Sequence, residues 1–184
     1  MAGLVLAAGA GTRFGGGKQL ARLDGRPLLE HALRAMASAP VGDRVVVLGA
    51  EAERIAAAVD LRGARVVLCP GWAEGQSASL RAGIEAAGPR ADAVVVTLGD
   101  QPRIAARAIA AVVAARAPDA ADAVRATYDG AAGHPVLLER ALFGDLRALR
   151  GDVGARAVLR GARVIDVPCD GLGDPRDVDL PSDL

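Results

Sequence analysis

A glycine-rich segment near the N-terminus carries two cations and no acid. Residues 6–18 read Leu-Ala-Ala-Gly-Ala-Gly-Thr-Arg-Phe-Gly-Gly-Gly-Lys, and Arg13 and Lys18 are their only charged side chains. Glycine lets backbone N–H groups close around phosphate oxygens, while Arg and Lys supply the matching positive charge. The segment therefore predicts a polyphosphate-binding loop. The alternative is a flexible glycine-rich turn with two solvated cations.

Two commoner glycine motifs do not fit this segment. Counting from Gly9, the dinucleotide fingerprint G-x-G-x-x-G would place its last glycine where Phe14 stands. The Walker A motif fails as well, because Lys18 is followed by Gln19 rather than by Ser or Thr, and Thr12 occupies the position of its first glycine. The loop is thus typical of neither a dinucleotide-binding fold nor a P-loop NTPase.

An acid and two serines follow predicted elements further along the chain. Asp100 comes directly after an apolar strand, where a carboxylate can reach a Mg²⁺ ion that also binds phosphate oxygens and water. A turn aspartate that bonds its own backbone is the alternative. Ser77 and Ser79 open a predicted helix. Capping explains Ser77, and it leaves Ser79 free to bond the edge of a nucleobase. The single tryptophan, Trp72, is either a packing anchor or a surface for base stacking.

The two histidines and two cysteines do not predict a further catalytic or metal-binding site. His31 lies in a predicted amphipathic helix, and His134 lies at the start of a predicted strand. Because neither belongs to a nucleophile-elbow triad or to an H-E-x-x-H motif, a hydrolase is disfavoured. Cys69 and Cys169 are far apart and form no metal-ligand spacing, so we expect two inert thiols in a reducing compartment.

Short apolar runs alternate with alanine-rich stretches of helical periodicity. This alternation predicts an α/β sandwich with a mostly parallel sheet covered on both faces. Ligands bind at the carboxyl ends of strands in such sheets, where the segments described above would meet. The predicted strands are residues 3–6, 44–48, 65–68, 93–98, 123–128, 134–138 and 164–167, and the predicted helical stretches are 27–36, 51–59, 77–87, 105–116, 139–149 and 153–159.

Composition limits the class of protein. The 184 residues fit one domain, 1–184, and with 52 % hydrophobic but only 2 % aromatic residues the core must be aliphatic. The 22 basic and 22 acidic side chains cancel, so no basic excess indicates a nucleic-acid partner. The uncharged segment 1–12 is not preceded by the positively charged region of a signal peptide. It is also shorter than the roughly 18 apolar residues needed to span a bilayer. We therefore expect a cytoplasmic protein without a membrane partner.

Taken together, these segments resemble the MobA-like NTP transferase family, and most closely its molybdenum cofactor cytidylyltransferase branch. The resemblance covers nearly the whole chain and implies a Rossmann-like three-layer α/β/α sandwich. The segments that carry it are residues 6–18, 25–31, 72–83, 98–102, 133–135, 149–156 and 177–184.

The resemblance also implies roles for individual residues. Arg13 and Lys18 match the family's triphosphate-binding cations and are, with Asp100, the expected catalytic residues. Ser79 matches a contact to cytosine, and Asp100 and Asp179 match the acids that hold Mg²⁺. Asp177 and Asp174 are alternatives to Asp179, and residues 151–156 resemble the segment that faces the acceptor. The backbone that would cradle the nucleotide is that of Leu6, Ala7, Ala8, Gly9 and Gly11.

The implied reaction is Mg²⁺-dependent transfer of CMP from CTP to the phosphate of a molybdopterin-type cofactor, with release of pyrophosphate. A molybdoenzyme that receives the product is the implied protein partner. Cytosine is favoured over guanine because residues 6–9 read Leu-Ala-Ala-Gly and residues 98–102 read Leu-Gly-Asp-Gln-Pro. Three alternatives remain open: a guanylyltransferase of the same family, a nicotinamide- or flavin-dependent oxidoreductase, and a non-catalytic module that delivers a cofactor.

Overall fold

The computed structural model describes all residues from Met1 to Leu184. Nine strands form in chain order, and seven of them make one sheet in the order β5-β4-β1-β6-β8-β7-β9, while β2 and β3 form a small separate hairpin. The strands are β1 (Ala2–Ala7), β2 (Arg22–Leu23), β3 (Arg26–Pro27), β4 (Asp43–Leu48), β5 (Arg65–Leu68), β6 (Ala93–Leu98), β7 (Ala123–Tyr128), β8 (Ala131–Glu139) and β9 (Val164–Pro168).

The sheet is parallel except at one strand. Strand β1 pairs in parallel with β4 and β6, β4 with β5, and β7 with β9. Strand β8 runs antiparallel to both of its neighbours, β6 and β7. It follows β7 through a tight turn and inserts beside β6. The predicted β7–β8 hairpin therefore joins the parallel strands β5, β4, β1 and β6 to the parallel pair β7 and β9. The prediction of a mostly parallel sheet is confirmed.

Six helices cover the two faces of the sheet. The longest has 12 residues, and no helix is both long enough and apolar enough to cross a bilayer. They are α1 (Leu28–Ala37), α2 (Ala52–Ala58), α3 (Gln76–Ala87), α4 (Ala106–Ala114), α5 (Phe143–Ala148) and α6 (Arg156–Leu159).

The core consists of two aliphatic layers, one on each side of the sheet. Helices α1, α2 and α4 pack on one face, through residues such as Leu33, Ile55 and Ile109. Helices α3, α5 and α6 pack on the other, through residues such as Ile84 and Leu146. Alternate residues of the central strands supply the two layers, as the two-residue period of a strand requires. This arrangement is the three-layer α/β/α sandwich that the sequence predicts.

Several predicted boundaries were wrong by a few residues. Pro27 lies outside α1, because its backbone (φ −53°, ψ 139°) is extended and pairs with Arg22 in the β2–β3 hairpin. Strand β8 begins at Ala131 rather than at 134. It ends at Glu139, and α5 begins only at Phe143 after a single 3₁₀ turn, so the predicted helix 139–149 is shorter than expected.

Two other helix predictions were too long. Glu51 has a left-handed backbone (φ 55°) and precedes α2 rather than starting it. The predicted helix 153–159 begins only at Arg156, because the glycine-rich residues 151–154 form a loop that packs against the start of α3. Both differences place non-helical backbone at the carboxyl-end rim of the sheet.

Candidate active site at the carboxyl ends of β1 and β6

A cleft of about 620 Å³, called the main cleft below, opens where β1 and β6 end. The glycine-rich loop after β1 forms one side, and the start of α3 forms the other. The residues proposed from the sequence that line it are Leu6, Ala7, Ala8, Gly9, Gly11, Arg13, Lys18, Ser79 and Asp100. These residues thus line one cleft at the carboxyl ends of the strands, where open α/β sheets bind their ligands.

The glycine-rich loop returns on itself through left-handed backbone. Gly11 and Gly17 have φ values of 62° and 63°, and the Gly11 carbonyl accepts hydrogen bonds from the N–H groups of Phe14 and Gly16. A Cβ added at Gly11 would lie 2.8 Å from Lys18 Cβ. Glycine at position 11 thus allows the loop to bring Lys18 back over the end of β1.

Gln19 braces the start of this loop. Its side-chain amide donates hydrogen bonds to the carbonyl oxygens of Ala7 (3.2 Å) and Gly9 (2.8 Å), and the residue is only 7 % exposed. Both amide hydrogens are therefore committed to the backbone, which fixes the path of the chain between the two residues. From the sequence, Gln19 served only to exclude a Walker A motif. Its position directly after the loop lysine was the available signal.

Four charged side chains form a cluster at the floor of the main cleft. Lys18 Nζ lies 2.7 Å from Asp100 Oδ2 and 3.3 Å from Asp179 Oδ1, and Arg13 Nη1 lies 2.8 Å from Asp179 Oδ2. Burial opposes the charge of Lys18, but the two carboxylates outweigh it and raise the pKa of the ammonium group. The side chain of Lys18 is 10 % exposed and that of Arg13 is 76 % exposed. One cation is thus enclosed between two carboxylates, and the other lies largely in solvent with one carboxylate partner.

The C-terminal segment brings Asp179, rather than Asp177, to this cluster. The Val178 N–H donates to the Asp100 carbonyl (2.9 Å), and the Val178 side chain is fully buried. Asp179 follows it into contact with Lys18. Asp177 instead lines a neighbouring cavity, where burial, with Asp100 nearby, raises the pKa of its carboxyl. Asp174 is paired with Arg176.

The start of α3 closes the opposite side of the main cleft. The helix begins at Gln76, so Ser77 lies within its first turn and is not the cap that the sequence suggested. The loop 149–154 supplies the caps instead, because Asp152 Oδ1 accepts from the Gln76 N–H and the Gly151 carbonyl accepts from the Ser77 N–H, both at 3.3 Å. This capping role of Asp152 is not predictable from the sequence.

Five other residues named from the sequence have clear environments. Ser79 is buried on the cleft side of α3, and Trp72 lines the same cleft while packing partly against the core. The imidazole of His31 is hydrogen-bonded to the Leu23 carbonyl (2.9 Å), in keeping with a structural role. Cys69 and Cys169 are free and buried, and burial raises the pKa of each thiol.

A second cavity of about 830 Å³, called the side cavity below, adjoins the main cleft. The two share Leu6, Gln76 and Leu98 as walls. The segment 151–156 divides between them, since Asp152 lines the main cleft and Arg156 lines the side cavity. A ligand in each would therefore lie within reach of the other.

His134 lines the side cavity, and burial lowers the pKa of its imidazole to about 4. An unfolded chain would bind a proton at this residue below about pH 6.5, so between pH 6.5 and 4 the unfolded state binds more protons. We expect the free energy of unfolding to fall by about 1–3 kcal/mol across this window through His134 alone, allowing for its partial exposure.

Urea unfolding at several pH values, compared between the wild type and His134→Gln, measures this contribution. The difference between the two proteins should grow in favour of the variant as the pH falls from 6.5 to 4, and then level off. Parallel pH profiles would show that His134 protonates as readily in the folded chain as in the unfolded one.

Known proteins resemble this chain over most of its length. The sequence profile described as "MobA-like NTP transferase domain" matches residues 3–167. A nicotine blue oxidoreductase from Paenarthrobacter nicotinovorans is 33 % identical over 165 residues, which cover 86 % of this chain and 80 % of the relative.

Solved structures match a larger part of this chain than the sequence relative does. The structure of an Rv0371c homologue from Mycobacterium sp. strain JC1 is 35 % identical, with a TM-score of 0.86, covering 99 % of this chain and 91 % of that one. Rv0371c from Mycobacterium tuberculosis H37Rv, solved in complex with manganese, is 30 % identical, with a TM-score of 0.85, covering 99 % and 94 %. This chain is thus a member of the MobA-like NTP transferase family of nucleotidyltransferases.

Proposed function

We propose that the protein is a Mg²⁺-dependent nucleotidyltransferase that transfers CMP from CTP to the phosphate of a molybdopterin-type cofactor. The observation that carries this proposal is the cluster of Lys18, Asp100 and Asp179 below a glycine-rich loop. It combines a cation for phosphate oxygens with two carboxylates for a metal.

The two carboxylates suit a hard divalent cation. Asp100 and Asp179 both contact the ammonium group of Lys18. A small metal ion near this position would therefore have two carboxylate ligands. The chain has no group of three or more His, Cys, Asp and Glu side chains that could hold a metal. Mg²⁺ would take its other ligands from phosphate and water, as is usual at nucleotide sites, and when bound it would neutralise phosphate charge.

The chain's own residues account for the other requirements of the reaction. An oxygen of the acceptor phosphate attacks the α-phosphorus, the bond from that phosphorus to the β-phosphate oxygen breaks, and pyrophosphate leaves with the electron pair. The attacking phosphate is ionised at pH 7, so no protein base is needed. Lys18 and Arg13 stabilise the charge on the phosphates, and the backbone braced by Gln19 holds the nucleotide in line.

The side cavity is the proposed acceptor site. It adjoins the main cleft across Leu6 and Leu98, so an acceptor bound there would face the α-phosphate of a nucleotide in the cleft. Arg156 supplies positive charge at its wall. The product would then pass to a molybdoenzyme, the proposed protein partner, in the cytoplasm.

Three other functions are alternatives, and the first of them has specific support. The 33 % identity to a nicotine blue oxidoreductase favours a reductase, although the glycine loop lacks the dinucleotide fingerprint. A guanylyltransferase would use the same charged cluster. A cofactor-delivery module would bind the same ligands without turnover.

Incubating the protein with CTP or GTP, Mg²⁺, a molybdopterin-type acceptor and pyrophosphatase tests these functions together. We expect phosphate release that requires both the nucleotide and the acceptor, and no consumption of NADH or NADPH with quinone-type dyes. Oxidation of the nicotinamide would favour the reductase. Binding of nucleotide and acceptor without any phosphate release would favour the delivery module.

The choice of base should depend on Ala8. This residue is 3 % exposed and lines the main cleft, so its methyl group narrows the space available to a purine. We expect calorimetry with Mg²⁺ to give at least about tenfold tighter binding of CTP than of GTP, because the wrong base leaves buried polar groups unpaired. Ala8→Gly should reduce this ratio. Tighter binding of GTP would replace cytidylyl by guanylyl transfer and leave the reaction class unchanged.

A further inference from the structure

The turn that follows β4 is hydrogen-bonded to both ends of the glycine-rich loop. The Ala50 N–H donates to the Ala8 carbonyl at 3.0 Å, near the start of the loop. The Gly17 N–H donates to Glu51 Oε2 at 3.1 Å, near the end of the loop. Two consecutive residues of one turn thus hold two separate points of the loop.

The backbone of this turn is specialised for the contact. A Cβ added at Gly49 would lie 2.5 Å from the Ala8 carbonyl oxygen, so glycine at position 49 permits the close approach. Glu51 has a left-handed backbone (φ 55°), which a non-glycine residue adopts at an energetic cost. Such backbone persists where surrounding contacts fix it, and it is common at functional sites. The bonds from Ala50 and Glu51 to the loop are contacts of this kind.

The end of the loop is the part that most needs support. Gly15, Gly16 and Gly17 all have positive φ values, and glycine loses more conformational freedom on folding than any other residue. The N–H groups of Gly15 and Gly16 bond to carbonyls within the loop, whereas that of Gly17 bonds to Glu51. Lys18 follows directly, so the bond to Glu51 fixes the backbone from which the buried cation extends.

Glu51 lies on the outer side of the loop. It does not line the main cleft, so it would not contact a nucleotide bound there. Its second oxygen, Oε1, pairs with Arg54, but these side chains are 37 % and 65 % exposed, and such a pair contributes little to stability. The contribution of Glu51 to the site is therefore the acceptor that it offers to Gly17.

We propose that Glu51 is a positioning residue that holds the glycine-rich loop in the conformation that binds a polyphosphate. The loop then loses little conformational freedom when phosphates bind, because its glycines are already ordered. Without the bond from Gly17, the cost of ordering residues 15–17 would offset part of the binding free energy. The inference rests on the proposed function, since it assumes that this loop binds the phosphates of a nucleotide.

Calorimetry with CTP and Mg²⁺ on the full-length chain tests this role. Glu51→Ala removes the acceptor and should weaken binding by about tenfold, whereas Glu51→Gln keeps an acceptor oxygen and should bind within about threefold of the wild type. In turnover, Glu51→Ala should raise KM for CTP and leave kcat nearly unchanged, because an ordered loop stabilises the bound substrate and the transition state alike. Arg54→Ala should bind CTP like the wild type. Equal affinities of the wild type and Glu51→Ala would overturn the proposal.

A third variant separates positioning from stability. Glu51→Gly relieves the left-handed backbone and also removes the acceptor. It should melt at about the temperature of the wild type and yet bind CTP as weakly as Glu51→Ala does. Affinities that instead followed the melting temperatures of the variants would show that Glu51 serves stability alone.

Amide hydrogen exchange in the unliganded protein distinguishes this inference from the proposed function. The Gly17 N–H should be protected in the wild type and in Glu51→Gln, and it should exchange at least about tenfold faster in Glu51→Ala. If Gly17 shows this pattern but the wild type binds neither CTP nor GTP, the proposed transferase fails and the ordering of the loop by Glu51 stands. If CTP binds and Gly17 exchanges equally in all three proteins, the inference fails and the transferase stands.

Discussion

Lys18→Ala should reduce kcat/KM for nucleotidyl transfer by at least about 10³-fold, since it removes the one buried cation positioned for phosphate charge. Lys18 is the only lysine in the chain, and no neighbouring cation can replace it, because Arg13 is largely exposed and contacts only Asp179. Asp100→Ala should have a comparable effect. Steady-state pyrophosphate release measures both.

The fold should survive these changes. Both side chains lie at the rim of the sheet, where truncation opens no cavity in the core. The melting temperature should therefore fall far less than in Leu33→Ala, whose side chain is buried under α1. Arg54→Ala, which removes an exposed cation paired only with Glu51, is the matched control and should keep full activity. Full turnover by Lys18→Ala would show that the active site lies elsewhere.

The second large effect concerns the metal and the register of its ligands. The thermal shift produced by CTP should depend strongly on Mg²⁺, because three phosphates beside two carboxylates repel one another without it. Asp179→Asn should lose most of this Mg²⁺-dependent shift, and Asp177→Asn should retain it. The two residues lie two positions apart in one segment, so each is a close control for the other. The opposite result would move the second ligand to Asp177.

The same experiment can be extended to the metal alone. Lys18 contacts both carboxylates, so a divalent cation must displace its ammonium group before it can bind them. We expect Mn²⁺ to bind weakly without nucleotide, and to bind more tightly to Lys18→Met, which removes the competing charge while keeping most of the side-chain volume. Unchanged Mn²⁺ affinity in Lys18→Met would show that the metal does not use these two carboxylates.

The sequence alone determined the order of the elements and the edge of the sheet at which the candidate site was expected. Strands β5, β6 and β7 begin and end at the predicted residues, because a short apolar run bounded by charged or turn residues is a local signal. The order of strands and helices then implied parallel pairing, and parallel pairing places the ends of β1 and β6 side by side. Parallel pairing thus predicts that four residues lie at one edge of the sheet, namely Arg13, Lys18, Ser79 and Asp100. Their roles stay predictions.

Only the tertiary structure decided which distant residues complete the site. The family resemblance favoured Asp179 and kept Asp174 and Asp177 as alternatives. In the structure the buried Val178, anchored to the Asp100 carbonyl, turns Asp179 towards Lys18, 161 positions earlier in the chain. The sequence could not predict two further sets of hydrogen bonds. These are the bonds from the Gln19 side chain to the Ala7 and Gly9 carbonyls and the bond from the Gln76 N–H to Asp152. The physical reason is that periodicity reports which face of an element is buried, whereas contacts between loops depend on how whole elements pack.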